Sequence, residues 1–201
     1  MIRRQVLTIG AAALAALLTV TACSSGNQAA TSSSTSAGTS AASSSAPAAQ
    51  AHNQSDVTFA QDMIPHHQQA VQMSDIILGK QGIDPRVVQL ANQIKAAQGP
   101  EIQQMQGWLS QWGQPTMSMA PGMVMPGMLA DQDISALQNA QDADASKLFL
   151  TGMIQHHQGA IAMAQDEITS GQNPPAVALA HSIVTSQQQE INTMQTILGS
   201  L

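Results

Sequence analysis

Much of this chain is written twice. The run Phe59-Ala-Gln-Asp-Met63-Ile64-Pro65-His66-His67-Gln68-Gln69-Ala70 returns as Phe149-Leu-Thr-Gly-Met153-Ile154-Gln155-His156-His157-Gln158-Gly159-Ala160, and Met73 finds its counterpart in Met163. After a one-residue slip the match resumes. Pro85, Leu90, Ala91, Ile94, Gln98, Glu101, Ile102, Met105 and Leu109 then pair with Pro174, Leu179, Ala180, Ile183, Gln187, Glu190, Ile191, Met194 and Leu198. A repeat of about 50 residues is one supersecondary unit that cannot bury its own apolar face. The two copies must therefore pack on each other.

Each copy reads as a helical hairpin. Phe59, Met63, His66, Ala70, Met73 and Ile77 recur at spacings of three and four, the stripe of an amphipathic helix. Asp56 and Ser146 precede the two Phe residues equivalently and are the expected N-caps. Gly79 and Gly82 close the first helix and Pro85 opens the second, while Gly171 and Pro174-Pro175 punctuate the other copy. Pro65 should bend the first helix just before His66. Aromatics at 2% with no Tyr, beside 12 Met, suit helices better than sheets. The expected fold is all-α: an up-down four-helix bundle, ferritin-like, built from two repeated hairpins. Repeat one is placed at 56–112, a Met-rich crossover with a short helix over Asp133 to Asn139 at 113–143, and repeat two at 144–201.

The N-terminal part has a different character. Arg3 and Arg4 precede an apolar run from Val6 to Val20, then Thr21-Ala22-Cys23. That is the charged, apolar and small-residue order of an export signal at 1–22. Cys23 sits where a bacterial lipobox carries its acylated cysteine, so the mature chain is expected to be anchored outside the cytoplasm through lipid at Cys23. Residues 23–55 are dominated by Ser, Ala and Thr and read as a tether too poor in apolar area to fold. Two of the six Lys and Arg lie in the signal, leaving no basic patch for nucleic acid. A single Cys excludes both a disulfide framework and a CxxC site.

The chemistry lies in the repeated block. Met63, His66, His67 and Met73, with Met153, His156, His157 and Met163, place thioethers and imidazoles near both stripes. Adjacent His residues diverge by about 100°, so one should face the bundle axis and the other flank it. If a pseudo-two-fold relates the halves, the His pairs approach each other. Imidazole and thioether together suit copper. Glu101 and Glu190 are candidates to receive the second N–H of a metal-bound His. The crossover adds Met117, Met119, Met123, Met125 and Met128, spaced among Pro-Gly pairs that forbid a helix. Such thioethers suit a soft ion outside the cell, where a thiolate would oxidise.

The doubled Met-Ile-x-His-His-Gln-x-Ala-x-x-Met block, the Met-Pro-Gly-Met loop and the Gln-x-x-Glu-Ile-x-x-Met helices resemble the bacterial family called domain of unknown function 305, over Asp56 to Leu201. Pro65 fits the family's Met-Ile-Pro-His-His form and Gln155 departs from it. The resemblance implies a ferritin-like bundle in a secreted or envelope protein, with some members tied to copper binding and tolerance. The expected function is copper buffering, sequestration or transfer, with Cu(I) or Cu(II) as cargo and no catalysis. The protein that would take delivery is not named by the sequence. The alternative is a structural or interaction lipoprotein whose His pairs form a polar core network. A di-iron oxidase would want Glu three residues before each His, where Met63 and Met153 stand instead. A His-based hydrolase lacks a placed nucleophile.

Overall fold

The computed structural model describes residues 51–118 and 125–201, and every regular element among them is a helix. They are α1 (Gln54–Leu78), α2 (Pro85–Gln111), α3 (Asp131–Asn139), α4 (Asp142–Ser170) and α5 (Pro174–Leu198). α1 packs most extensively on α2, and α4 on α5. These are the two hairpins of the repeat. They join chiefly through α1 and α4, while α2 and α5 touch only lightly.

The helix starts differ from expectation in two places. Asn53, not Asp56, caps α1: its Oδ1 accepts from the amides of Ser55 and Asp56 at 2.8 and 3.1 Å. Asp56 closes a capping box from the third helical position, accepting from the Asn53 amide at 2.6 Å. α4 begins at Asp142, a turn before Ser146, whose Oγ donates to the Asp142 carbonyl at 3.1 Å. Asp142 and Asp144 supply the first-turn acids that suit a helix N-terminus. Pro65 does not interrupt α1, nor does Pro100 interrupt α2. The short crossover helix is present and begins two residues earlier than read, at Asp131.

Apolar side chains form two clusters rather than one. The first holds Met73, Ile77, Leu90, Ile94, Phe149, Met153 and Met194, and α3 adds Ile134 and Leu137 to it. The second holds Phe59, Met63, Ile64, Met105, Trp108, Leu109, Ala160 and Ile183. On every long helix the gap between clusters is filled by polar residues. These are His66, His67 and Gln69 on α1, Gln98 and Glu101 on α2, His156 and His157 on α4, and Gln187 and Glu190 on α5. The bundle is thus two apolar ends around a polar layer.

α1 and α4 run antiparallel, as shown by pairs along their contact. Ser55 reaches Glu167 at one end, His66 meets His156 in the middle, and Met73 approaches Gly152 at the other. Because His66 and His156 are equivalent in the repeat, the pseudo-two-fold axis passes between them.

One end of the bundle carries a buried carboxyl pair. Asp56 accepts from the amides of Gln172 and Asn173 at 3.0 and 2.8 Å, tying the α4–α5 loop to α1. Burial acts to raise its pKa, but these amides, that of Asn53 and the Glu167 carboxyl outweigh it and hold Asp56 below the usual range. Glu167 is pushed up to about 8 by burial and by Asp56 beside it. A folded pKa above the unfolded 4.5 contributes stability that is full below 4.5 and is lost as pH rises through about 8. Glu167→Gln is therefore expected to match the wild type at pH 4 and exceed it at pH 9, by about 1–2 kcal/mol after allowing for solvent screening. Urea midpoints at the two pH values check this; equal midpoints at pH 9 would show that Glu167 holds no proton in the fold.

Candidate metal centre

The polar layer brings the four imidazoles together. All four side chains are fully buried. His66 and His156 lie with ring centroids 3.7 Å apart at 41°, and His156 and His157 are 6.3 Å apart. The adjacent His residues divide as the helical step predicts: His66 and His156 meet at the axis, and His67 and His157 flank it, still buried. A flank at this level of α1 is itself covered by α2, and at this level of α4 by α5, so the second His of each pair meets a carboxylate there. His67 Nε2 donates to Glu101 Oε2 at 2.8 Å and His157 Nε2 to Glu190 Oε2 at 2.6 Å. The two contacts are repeat equivalents, and both Glu side chains keep partial exposure.

These partners set the tautomers. With Nε2–H of His67 and His157 committed to carboxylates, Nδ1 is the nitrogen left with a lone pair. His66 does the same through a different acceptor: its Nε2 donates to the Pro126 carbonyl at 3.0 Å. Burial, then the neighbouring His67 and His157, lower the His66 pKa to about 3 against the Pro126 bond, which raises it. Burial likewise takes His156 well below its ordinary value. Both rings are neutral at neutral pH and so able to donate to a cation.

Five imidazole nitrogens in this layer have no hydrogen-bond partner: Nδ1 of His66, His67, His156 and His157, and Nε2 of His156. Buried polar atoms are seldom left so. Buried imidazole nitrogens of this kind are the donor set of a copper or other borderline ion, and the Glu101 and Glu190 contacts are the carboxylate–histidine arrangement that orients metal-bound His. By donor chemistry the residues suit such an ion. Among the described residues no group of three or more His, Cys, Asp or Glu side chains is already disposed to hold one.

The helix thioethers pack with the apolar clusters that border this layer. Met63 is buried in one apolar cluster, Met73 and Met153 in the other, and Met163 packs at the edge of the first-named. Met117 is exposed, Met125 is buried and Met128 is intermediate, whereas Met119, Met123 and Cys23 lie outside the described residues.

Sequence reading missed the fastening of the crossover. Gln61 donates to the Pro115 carbonyl at 2.9 Å. Gln69 grips Leu129 twice, donating to its carbonyl at 2.9 Å and accepting from its amide at 2.8 Å. Pro126-Gly127 lies so close to α4 that a Cβ on Gly159 would stand 1.9 Å from the Pro126 oxygen. Gly127 has φ +78°, which favours glycine, and a Cβ there would meet the Gln155 carbonyl at 2.5 Å. The signal was a mismatch in the repeat: Gln69 and Gly159 are equivalent positions, and both hold the crossover.

A helical bundle with a histidine layer between two apolar ends, strapped by a Met-rich crossover, is a defined class of domain. The chain belongs to the DUF305 family, named for a domain of unknown function, which matches residues 56–198. A DUF305 fragment from Deinococcus radiodurans is 34% identical, with TM-score 0.68 over 74% of this chain and 98% of that one. A DUF305 protein from Streptomyces coelicolor, named as a candidate for secretion, is 35% identical, with TM-score 0.68 over 73% and 93%. CopM in its Cu(II)-bound form is 34% identical, with TM-score 0.63 over 72% and 96%, and it has also been solved with Cu(I) and with silver. The uncharacterized protein L153 of Acanthamoeba polyphaga mimivirus is 44% identical over 52 residues, 26% of this chain and 34% of that protein.

Proposed function

We propose that this chain is an extracytoplasmic, non-catalytic metal-binding protein whose principal cargo is copper, buffered, sequestered or handed on in metal tolerance. The observation that carries the reading is the set of five buried imidazole nitrogens without partners. His66, His67, His156 and His157 would hold the ion, with Glu101 and Glu190 orienting two of them. The likeness to CopM, solved with Cu(I), Cu(II) and silver, supports the choice of metal. Met117, Met119, Met123, Met125 and Met128 serve as a soft capture arm, beside Met63, Met73, Met153 and Met163 in the helices. Among the described residues no helix is long and apolar enough to cross a membrane. Membrane attachment is assigned to acylated Cys23.

The alternative, a purely structural polar network, is disfavoured because such a network would pair its own atoms. The test is a competition titration with Cu(I) against a chromogenic chelator, and with Cu(II), for the wild type and for the variant with His66, His67, His156 and His157 all replaced by Ala. Binding in the wild type and its loss in the variant is the expected result. Should that variant fail to fold, His156→Leu removes a ring with two unpartnered nitrogens and is expected to fold at least as stably, with affinity down about tenfold or more. Binding that survives His156→Leu but is lost when the five crossover Met are changed to Leu would move the site to the crossover. A wild type that binds neither ion would return the layer to a structural role.

A further inference from the structure

The imidazoles are not the only unsatisfied groups in the layer. Gln98 on α2 and Gln187 on α5 are each 2% exposed, and no hydrogen bond reaches Gln98 Nε2, Gln98 Oε1 or Gln187 Oε1. They are repeat equivalents, so the same buried amide occurs twice at matching places. Each lies one helical turn before the carboxylate that grips a histidine: Gln98 before Glu101 on His67, Gln187 before Glu190 on His157. Leu or Met would fill either position and extend an apolar cluster. A structural purpose would be served by partners for the amide oxygens, and neither oxygen has one.

We propose that Gln98 and Gln187 are binding residues of the same layer, placing amide oxygens on the side of α2 and α5 opposite the imidazoles of α1 and α4. This inference rests on the reading of the layer as a metal site. Oxygen donors beside imidazole favour a divalent ion, Cu(II) over Cu(I), either directly or through a water that the ion carries. Met63, Met73 and Met153, which would reverse that preference, are buried with the apolar clusters. The two amides thus bias the layer toward the oxidised metal, and the exposed edges of Glu101 and Glu190 lie on the same two helices.

The experiment compares the wild-type chain with Gln98→Leu/Gln187→Leu in separate Cu(II) and Cu(I) titrations and in apo thermal melts. An apo melting midpoint that holds or rises, Cu(II) affinity down about tenfold and Cu(I) affinity unchanged are expected. Unchanged Cu(II) affinity overturns the inference while leaving the metal site intact, and so does a lowered apo midpoint, which would give the amides a structural partner. A wild type that binds no Cu(II) removes the underlying reading as well. If the double variant does not fold, the side-chain amide resonances of Gln98 and Gln187 in the wild type are followed on adding Zn(II). Shifts in both support the assignment, and their absence overturns it.

Discussion

Gly159→Ala is expected to dislodge the crossover from the bundle. A methyl at this site would stand 1.9 Å from the Pro126 oxygen and 2.3 Å from its carbonyl carbon, contacts that no side-chain rotation relieves because both are backbone. Elsewhere in a helix this substitution gains up to about 1 kcal/mol. Here the overlap should reverse the sign and cost about 2–3 kcal/mol net. Loss of the strap also removes the acceptor of His66 Nε2 and strains the Gln69–Leu129 pair. Hydrogen exchange at the Leu129 amide reads this directly: it should accelerate far more than amides in mid-α2. Unchanged exchange with unchanged stability would mean that the crossover is not seated on Gly159 in solution.

Acid should begin to destabilise the apo protein from about pH 6.5, before carboxylates of ordinary pKa titrate. The His66 pKa lies at about 3 in the fold against 6.5 ordinarily, so the unfolded chain takes up a proton first. The stability present above about 6.5 is lost as pH falls toward 3. At pH 4 His66 alone accounts for about 3 kcal/mol, a large part of a typical 5–15 kcal/mol, and His156 acts with the same sign. Asp56, held below its ordinary value, adds a further loss at lower pH. Urea midpoints from pH 7 to pH 4 should therefore fall, by the histidine loss less the opposing gain as Glu167 takes up its proton, and the fall should flatten or reverse in His66→Leu/His156→Leu. Saturating copper should delay it, since a bound ion occupies the nitrogens that would be protonated. A pH dependence that is the same in the wild type and in His66→Leu/His156→Leu would contradict the buried, neutral placement of both rings.

The parts of this architecture that could be read from the chain are those stated twice. The hairpins, the meeting of the two His-His pairs and the involvement of Glu101 and Glu190 follow from residues that recur at helical spacing. Chemistry carried by one copy or by backbone is harder to see. Asp56 looks like an N-cap because it precedes the stripe, yet Asn53 takes that place and frees Asp56 to bind Gln172 and Asn173 across the bundle end. The Pro126 carbonyl on His66 leaves no side-chain signature at all. The methionines are ambiguous for a physical reason: one side chain serves equally as core filler and as soft ligand, and the burial of Met63, Met73 and Met153 among apolar residues fits either use.

The strap over the pseudo-symmetric core has a consequence for handedness. Two like halves present two like faces, and a single connecting segment crossing their axis could in principle lie in either of two senses. Residues at one equivalent position decide between them. Gln69 offers an amide that clasps Leu129, while Gly159 offers bare backbone that admits Pro126. A clasp on one side and a notch on the other fit a directional ribbon only one way round. Had both sites carried Gln the ribbon would be held off the surface, and with two glycines it would be free to slide. This mismatch between the repeats is what gives the nearly symmetric bundle a front and a back.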